Sequence, residues 1–118
     1  MIEKIFEQEF RNLLKDRDIL FPVSIEKDND KYIIIAEIPG VKKENIEIIY
    51  EEPFLKIKVN KEETKKEKIL NEIVYGEFER AFEIDNIDKD SIQATYENGI
   101  LTIEFKEKKE NIKKIEIK

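Results

Sequence analysis

The fold is decided by the stretch Ile92-Gln93-Ala94-Thr95-Tyr96-Glu97-Asn98-Gly99-Ile100-Leu101-Thr102-Ile103-Glu104-Phe105. Apolar side chains alternate with polar ones on both sides of Asn98-Gly99. Alternation with a period of two residues is typical of a strand with one buried face. Asn and Gly both tolerate the positive φ angles of a type I′ turn. The stretch therefore predicts a hairpin of two half-buried antiparallel strands.

Similar alternating segments precede this hairpin, separated by turn residues such as Pro39-Gly40. They predict strands over residues 23–26, 31–38, 46–50, 55–60 and 78–84. The run 61–68 is almost wholly charged and predicts a solvated loop, and the apolar residues of 69–74 are compatible with a short strand that projects from the body. About seven or eight short strands with this spacing predict an all-β fold, an antiparallel β-sandwich.

The amino-terminal segment 1–20 has a different pattern. Its apolar residues recur at spacings of three and four, which predicts a short amphipathic helix. One helical stripe carries Ile2, Phe6, Phe10 and Leu13, with Ile5 and Leu14 beside it. Two interpretations stay open for this arm: a non-directional surface that binds unfolded proteins, or ordinary packing onto the sandwich or onto a second arm.

The carboxy-terminal segment 107–118 ends in Lys113-Lys114-Ile115-Glu116-Ile117-Lys118. Because side chains at i and i+2 of an extended backbone point the same way, Ile115 and Ile117 form a two-pronged apolar plug. A charged run separates this plug from the last predicted strand, so we expect its binding site on another subunit. The alternative is a frayed terminus or a short edge strand.

Composition restricts the functions that the chain can perform. Its 118 residues suffice for one domain, which we predict to span 21–106 between the arm and the tail. A net charge of −6 disfavours nucleic acid. The absence of Cys and His removes thiol nucleophiles, histidine bases and the usual zinc ligands, and no acidic cluster has the spacing of a known cation loop. We therefore expect no enzyme activity, no metal and no cofactor.

The same sequence gives an expectation for location. No apolar run approaches the roughly 20 residues that span a bilayer. Acidic residues occur in the first twenty positions, where a secretion signal would be basic and then apolar. We therefore expect a cytoplasmic protein with no membrane partner.

Four patches carry a family resemblance. Residues 36–46 read A-E-I-P-G-V-K-K-E-N-I, residues 75–82 read Y-G-E-F-E-R-A-F, residues 94–101 read A-T-Y-E-N-G-I-L, and residues 115–117 read I-E-I. In this order they resemble the α-crystallin domain and I-x-I tail of the small heat shock proteins, bacterial and archaeal type. The resemblance runs from about residue 22 to the end of the sequence.

The resemblance implies an immunoglobulin-like sandwich and a function in the stress response. It implies an ATP-independent holdase that binds partly unfolded proteins, prevents their aggregation and assembles from dimers into larger homo-oligomers. The arm 1–20 would bind clients. The I-x-I tail would dock in a groove of a neighbouring subunit, between two edge strands that map onto 46–50 and 92–96. The groove residues would be Ile46, Ile48, Ile92 and Ala94.

Dimerisation in this family type exchanges a strand from a long loop, which here would be 61–74. The exchanged residues would be Ile69, Leu70 and Asn71, although the loop lacks the arginine that commonly follows the apolar pair. Arg80 has the strand parity of Phe78 and Phe82, so its guanidinium needs a carboxylate or backbone carbonyls nearby. We predict that Arg80 pairs at the dimer interface. The alternative is an arginine whose stem covers apolar surface while its charge stays in water.

Two rival functions follow from other classes of protein. An enzyme would need a catalytic constellation, and none stands out among the remaining Tyr, Lys and carboxylate residues. A monomeric co-chaperone or adaptor domain of the same sandwich class would dock on one folded partner. That class generally lacks the I-x-I tail and the long exchange loop. We therefore favour the holdase function over the adaptor function.

Overall fold

The computed structural model describes residues 5–7, 21–109 and 115–118. Their strands are β1 (Ile5–Glu7), β2 (Val23–Asp28), β3 (Lys31–Glu37), β4 (Ile46–Glu51), β5 (Phe54–Lys61), β6 (Gly76–Ile84), β7 (Gln93–Glu97) and β8 (Ile100–Lys106). Two short 3-10 helices, Lys43–Asn45 and Lys89–Ser91, precede β4 and β7. The part of the chain that the structure describes is therefore all-β, as the sequence predicts.

The strands form two antiparallel four-stranded sheets, in the orders β1-β6-β5-β4 and β2-β3-β8-β7. Alternate side chains of each sheet point into the space between them, so the period-two pattern of the sequence becomes the core. This core contains Ile34, Leu55, Ile57, Ile84, Ile103 and Phe105, all with almost no exposed surface. The architecture is the antiparallel β-sandwich that the sequence predicts.

The predicted hairpin is confirmed in detail. The turn residues Asn98 and Gly99 have φ angles of 53° and 76°, and the flanking strands β7 and β8 pair from Glu97↔Ile100 to Gln93↔Glu104. A Cβ on Gly99 would lie 3.0 Å from the Cα of Pro39. The turn therefore requires glycine both for its backbone angle and for its close approach to the segment after β3.

The amino-terminal arm differs from the prediction where the structure describes it. Ile5–Glu7 is not helical: it forms β1, which pairs with β6 from Ile5↔Ile84 to Glu7↔Phe82. An open sheet edge offers backbone hydrogen bonds to a segment whose own preference is ambiguous, and here that tertiary contact decides the conformation. The rest of the predicted helix over 1–20 lies outside the described residues.

The loop between β5 and β6 contains no strand. The segment 62–75 has no regular secondary structure, and Ile69, Leu70, Ile73 and Val74 are exposed there. The projecting strand that 69–74 was compatible with does not form within a single subunit. Strand geometry needs a hydrogen-bonded neighbour, and among the described residues no strand pairs with this segment.

Candidate functional site

A groove runs between the edges of the two sheets, where β4 and β7 face each other. It has a volume of about 360 Å³, at the lower end of the range for ligand pockets, about 300–1,000 Å³. Its lining consists of Lys43, Ile46, Ile48, Ala94, Thr95, Tyr96, Glu97 and Leu101. The lining combines apolar side chains from both sheets with the polar side chains of Lys43, Thr95 and Glu97. Such a groove suits a short segment with alternating apolar and polar side chains.

Three of the four residues predicted to accept the tail lie in this groove: Ile46, Ile48 and Ala94. Ile46 and Ile48 pack partly against the core, and Ala94 is exposed on β7. The fourth, Ile92, lies just before β7 and packs against the core outside the groove lining. The structure thus brings together side chains from β4 and β7 that are more than forty positions apart in the sequence.

Tyr96 holds one end of the groove in place. Its hydroxyl lies 2.9 Å from the carbonyl oxygen of Ile38 and 2.7 Å from that of Val41, and its single proton is shared between these two acceptors. The backbone N–H of Ile38 donates to the carbonyl oxygen of Gly99 at 2.7 Å. Burial raises the pKa of the Tyr96 hydroxyl above its ordinary value. Two of the sequence motifs, 36–46 and 94–101, therefore meet here and shape one structure.

Sequence reasoning placed Thr95 and Tyr96 on the strand 92–96 beside the groove without naming them as groove residues, and it did not assign Lys43, Glu97 or Leu101 to the groove. A signal for Tyr96 was present, because a tyrosine at a core position of a strand needs a partner for its hydroxyl. Lys43 and Glu97 gave no such signal, since charged residues next to turns are common on any surface.

The tail described in the structure is fully accessible. Ile115 and Ile117 are 80% and 95% exposed, and residues 115–118 form no regular secondary structure. Its root is ordered: Tyr32 donates a 2.7 Å hydrogen bond to Oε1 of Glu107, and the N–H of Lys108 donates to the carbonyl oxygen of Asn86 at 2.7 Å. The plug and the groove thus occur in one chain without contact between them.

The residues predicted for the dimer interface are not brought into one patch. Ile69 and Leu70 are exposed on the loop, where Asn71 accepts from the N–H of Ile73 at 3.1 Å. Arg80 is only 7% exposed and lies inside the subunit. Its Nη1 donates a 2.6 Å hydrogen bond to the carbonyl oxygen of Phe21. Its interface role stays a prediction.

The surroundings of Arg80 are partly aromatic. The guanidinium carbon lies 5.8 Å from the ring centre of Phe21 and 5.4 Å from that of Phe82. These distances suit cation–π contacts. A backbone carbonyl of its own subunit therefore supplies one of the partners that the sequence required, and the arginine connects β6 to the segment just before β2.

Within residues 5–7, 21–109 and 115–118, no group of three or more acidic side chains could hold a metal ion. None of the helices in the same residues has the length and apolar character needed to cross a bilayer.

Comparison with known proteins decides the family. Residues 24–118 match the model of the Hsp20/alpha crystallin family. The chain belongs to this family. It is 41% identical to the 18 kDa heat shock protein of Clostridium acetobutylicum, with 82% of this chain and 70% of the relative covered. It is 34% identical to small heat shock protein C2 of Rickettsia felis, over 87% of this chain and 71% of the relative.

Solved structures agree with this assignment. Heat shock protein 16.0 from Schizosaccharomyces pombe superposes with a TM-score of 0.69 at 31% identity and covers 82% of both chains. The sandwich described above is thus an α-crystallin domain, and the family resemblance predicted from the sequence is confirmed. The chain is a member of the small heat shock proteins, a family of chaperones.

Proposed function

We propose that this small heat shock protein is a cytoplasmic, ATP-independent holdase that binds partly unfolded proteins and prevents their aggregation. We propose further that it assembles from dimers into homo-oligomers through its tail. One observation carries the proposal: the chain has an exposed pair of isoleucines at its end and an open apolar groove between two sheet edges. Each is complementary to the other on a second copy.

The expected strength of one tail contact is low. Burying Ile115 and Ile117 stabilises by roughly 1.5–3 kcal/mol each, whereas ordering the backbone costs about 1–2 kcal/mol per residue. A single tail therefore binds weakly, and several tails in one assembly hold it together by avidity. Such contacts open on heating, which uncovers the groove and other apolar surfaces for clients.

The loop 61–74 is the proposed dimerisation element. Its exposed Ile69 and Leu70 would gain most by pairing with a sheet edge of a second subunit, which would bury apolar surface and satisfy their backbone groups. Arg80 would then stabilise the dimer through the strand that follows the loop. These contacts belong to the proposal, together with Asn71 as the third exchanged residue.

The arm 1–20 is the proposed client-binding segment, through Ile2, Phe6, Phe10 and Leu13. The pairing of β1 with β6 supports a resting position in which the beginning of the arm is held on the sandwich. Three residue pairs make a short contact, and a short strand at a sheet edge is readily displaced. Release of the arm would make its apolar residues available.

The test is an aggregation assay with a heat-labile client and no nucleotide. We expect the full chain to suppress light scattering at a stoichiometric ratio, and a variant without residues 1–20 to protect less. That variant loses β1, but it keeps strands β2 to β8 and the hydrogen bond from Arg80 to Phe21. A full chain that stays monomeric and leaves the client to precipitate would overturn the proposal and favour the adaptor function.

A further inference from the structure

The groove lining includes one positive and one negative side chain, Lys43 and Glu97, which are called the rim charges below. Lys43 lies on the 3-10 helix that leads into β4, and Glu97 is the last residue of β7. Both are exposed, and neither forms an ion pair or a side-chain hydrogen bond with the residues that the structure describes. Lys42, directly before Lys43, differs: it lies 3.8 Å from Glu62. The two rim charges are therefore available to a molecule that enters the groove.

The tail carries complementary charges in the required pattern. When Ile115 and Ile117 point into the groove, Glu116 points out of it, between the two isoleucines. Lys114 and Lys118 flank Glu116 at positions i−2 and i+2, on the same face of an extended chain. Packed sheets lie about 10 Å apart, so long side chains on a segment between β4 and β7 can reach the rim on either side.

We propose that Lys43 and Glu97 recognise the charges of the tail and set its register in the groove. Lys43 pairs with Glu116 of a tail from a second subunit, and Glu97 pairs with one of the flanking lysines. The isoleucines alone supply apolar contact without direction, whereas the charges select a segment of the form K-I-E-I-K over other apolar segments. This proposal rests on the proposed docking of the tail and adds the residues that make it specific.

The expected effect of each pair is modest. An exposed ion pair changes a binding constant by about 1.4- to 5-fold. An oligomer contains several such contacts, so the effect on its dissociation is larger than the effect on one tail. High salt screens the pairs and leaves the apolar contact in place.

A charge exchange in the full chain tests the proposal. The variants are Lys43→Glu, Glu116→Lys and the double variant Lys43→Glu/Glu116→Lys, followed by sedimentation velocity over a dilution series. We expect each single variant to raise the concentration at which the oligomer half dissociates by at least 2-fold. We expect the double variant to return within 2-fold of the original chain, because the pair is restored with its charges reversed.

The matched control is Lys89→Glu/Glu116→Lys. Lys89 is exposed on the other 3-10 helix, outside the groove lining. This control restores the net charge of −6 without restoring the pair, so we expect it to dissociate like Glu116→Lys alone. Equal rescue by the control, or no rescue by the charge exchange, would overturn the recognition by Lys43.

A further variant separates this proposal from the proposed function. Ile115→Ala/Ile117→Ala removes the apolar plug and retains every charge of the tail. If it dissociates the oligomer while the charge exchange has no effect, docking stands and charge recognition is wrong. If it leaves the oligomer unchanged, tail docking itself is wrong and both proposals fall.

Discussion

Tyr32 on β3 donates a hydrogen bond of 2.7 Å to the carboxylate of Glu107, the first residue after β8. Tyr32 is buried and stacks on Phe105 with ring centres 5.5 Å apart. The exposed tail therefore starts from a fixed point on the sandwich.

The first prediction concerns this anchor. Tyr32→Phe removes the hydroxyl and leaves the ring, so we expect the free energy of unfolding to fall by about 0.5–1.5 kcal/mol. We also expect faster hydrogen exchange at the amide of Lys108, which is bonded to the carbonyl of Asn86 nearby. Tyr75→Phe is the control, because no hydrogen bond of the Tyr75 hydroxyl occurs among the described residues. Equal exchange rates in the two variants would contradict the anchor.

Arg80 provides a second prediction. Its hydrogen bond to the carbonyl oxygen of Phe21 is charge-assisted and buried, so Arg80→Ala should lower the free energy of unfolding by about 1.5–3 kcal/mol. Arg80→Lys keeps the charge but loses the planar group over the two phenylalanine rings, and we expect an intermediate loss. Chemical denaturation measures both effects.

The interface role of Arg80 needs a comparison of its own. Ile57→Val, a change within the buried core, should cost about 0.5–1.5 kcal/mol without a charge effect. If dimer dissociation rises for Arg80→Ala beyond that of this control, the interface role gains support. If the dimers of Arg80→Ala and Ile57→Val dissociated equally, Arg80 would act only within its own subunit.

A third prediction concerns the loop between β5 and β6, which Lys68 organises. Its Nζ donates to the hydroxyl and carbonyl oxygens of Thr64 at 2.9 and 3.1 Å. It also lies 3.8 Å from Glu63 and 5.8 Å from the ring centre of Tyr75. These contacts join residues on both sides of Lys68, next to the exposed Ile69 and Leu70. Lys68→Met should loosen the loop and raise its cleavage by a glutamate-specific protease by up to about 5-fold.

The neighbouring Lys66 offers the matched control for the loop. Its side chain is exposed and forms no ion pair or hydrogen bond within the described residues. Lys66→Met should therefore leave the cleavage rate unchanged. The same rate for both variants would show that Lys68 does not order the loop.

The fourth prediction is a loss of stability at alkaline pH. Burial raises the pKa of Tyr96, and burial together with the hydrogen bond and the charge of Glu107 raises the pKa of Tyr32, against the opposing effect of Lys27. The unfolded chain releases these protons first, near its ordinary tyrosine pKa of about 10. It then binds fewer protons than the folded state, so stability falls as the pH rises further.

Urea unfolding at a series of pH values measures this effect. Well below pH 10, we expect the ionisation of these tyrosines to leave the free energy of unfolding unchanged. From about pH 10 upwards, we expect the free energy of unfolding to decrease progressively. Tyr96→Phe should flatten the alkaline decline, although it lowers stability at neutral pH because two carbonyl oxygens lose their donor. The ionisation of the tyrosines in the folded protein can be followed by their absorbance. If every tyrosine ionised with an ordinary pKa, the burial of these hydroxyls would be contradicted.

Much of the sandwich could be read from the sequence because its physical signals are local. The alternation around Leu55 and the Asn98-Gly99 turn each depend on neighbouring residues only, and both are confirmed. The conformation of Ile5–Glu7 depends on the edge of β6, about eighty positions away, so its helix-like spacing was misleading. The partner of Arg80 at Phe21 is likewise set by the packing of the two sheets.

Only part of the candidate site could be predicted from the sequence, because its residues come from segments that are distant in the chain. Ile46, Ile48 and Ala94 were assigned through the family resemblance, and the structure places them in one groove. Ile92 was assigned in the same way, but it precedes β7, packs against the core and lies outside the groove lining. Lys43 and Glu97 could not be assigned from the sequence, because they line one groove only when the fold brings the edges of both sheets together.

The central claim is that the tail of one subunit occupies the groove of another. The chain has no cysteine, so Ala94→Cys in one preparation and Ile115→Cys in a second, tagged preparation supply one thiol each when mixed and oxidised. A disulfide needs Cβ atoms about 3.5–4.5 Å apart. We expect a crosslinked pair that contains one tagged and one untagged chain, and no such pair when Lys89→Cys replaces Ala94→Cys. Crosslinking that is equal for both positions, or absent from both, would contradict the account.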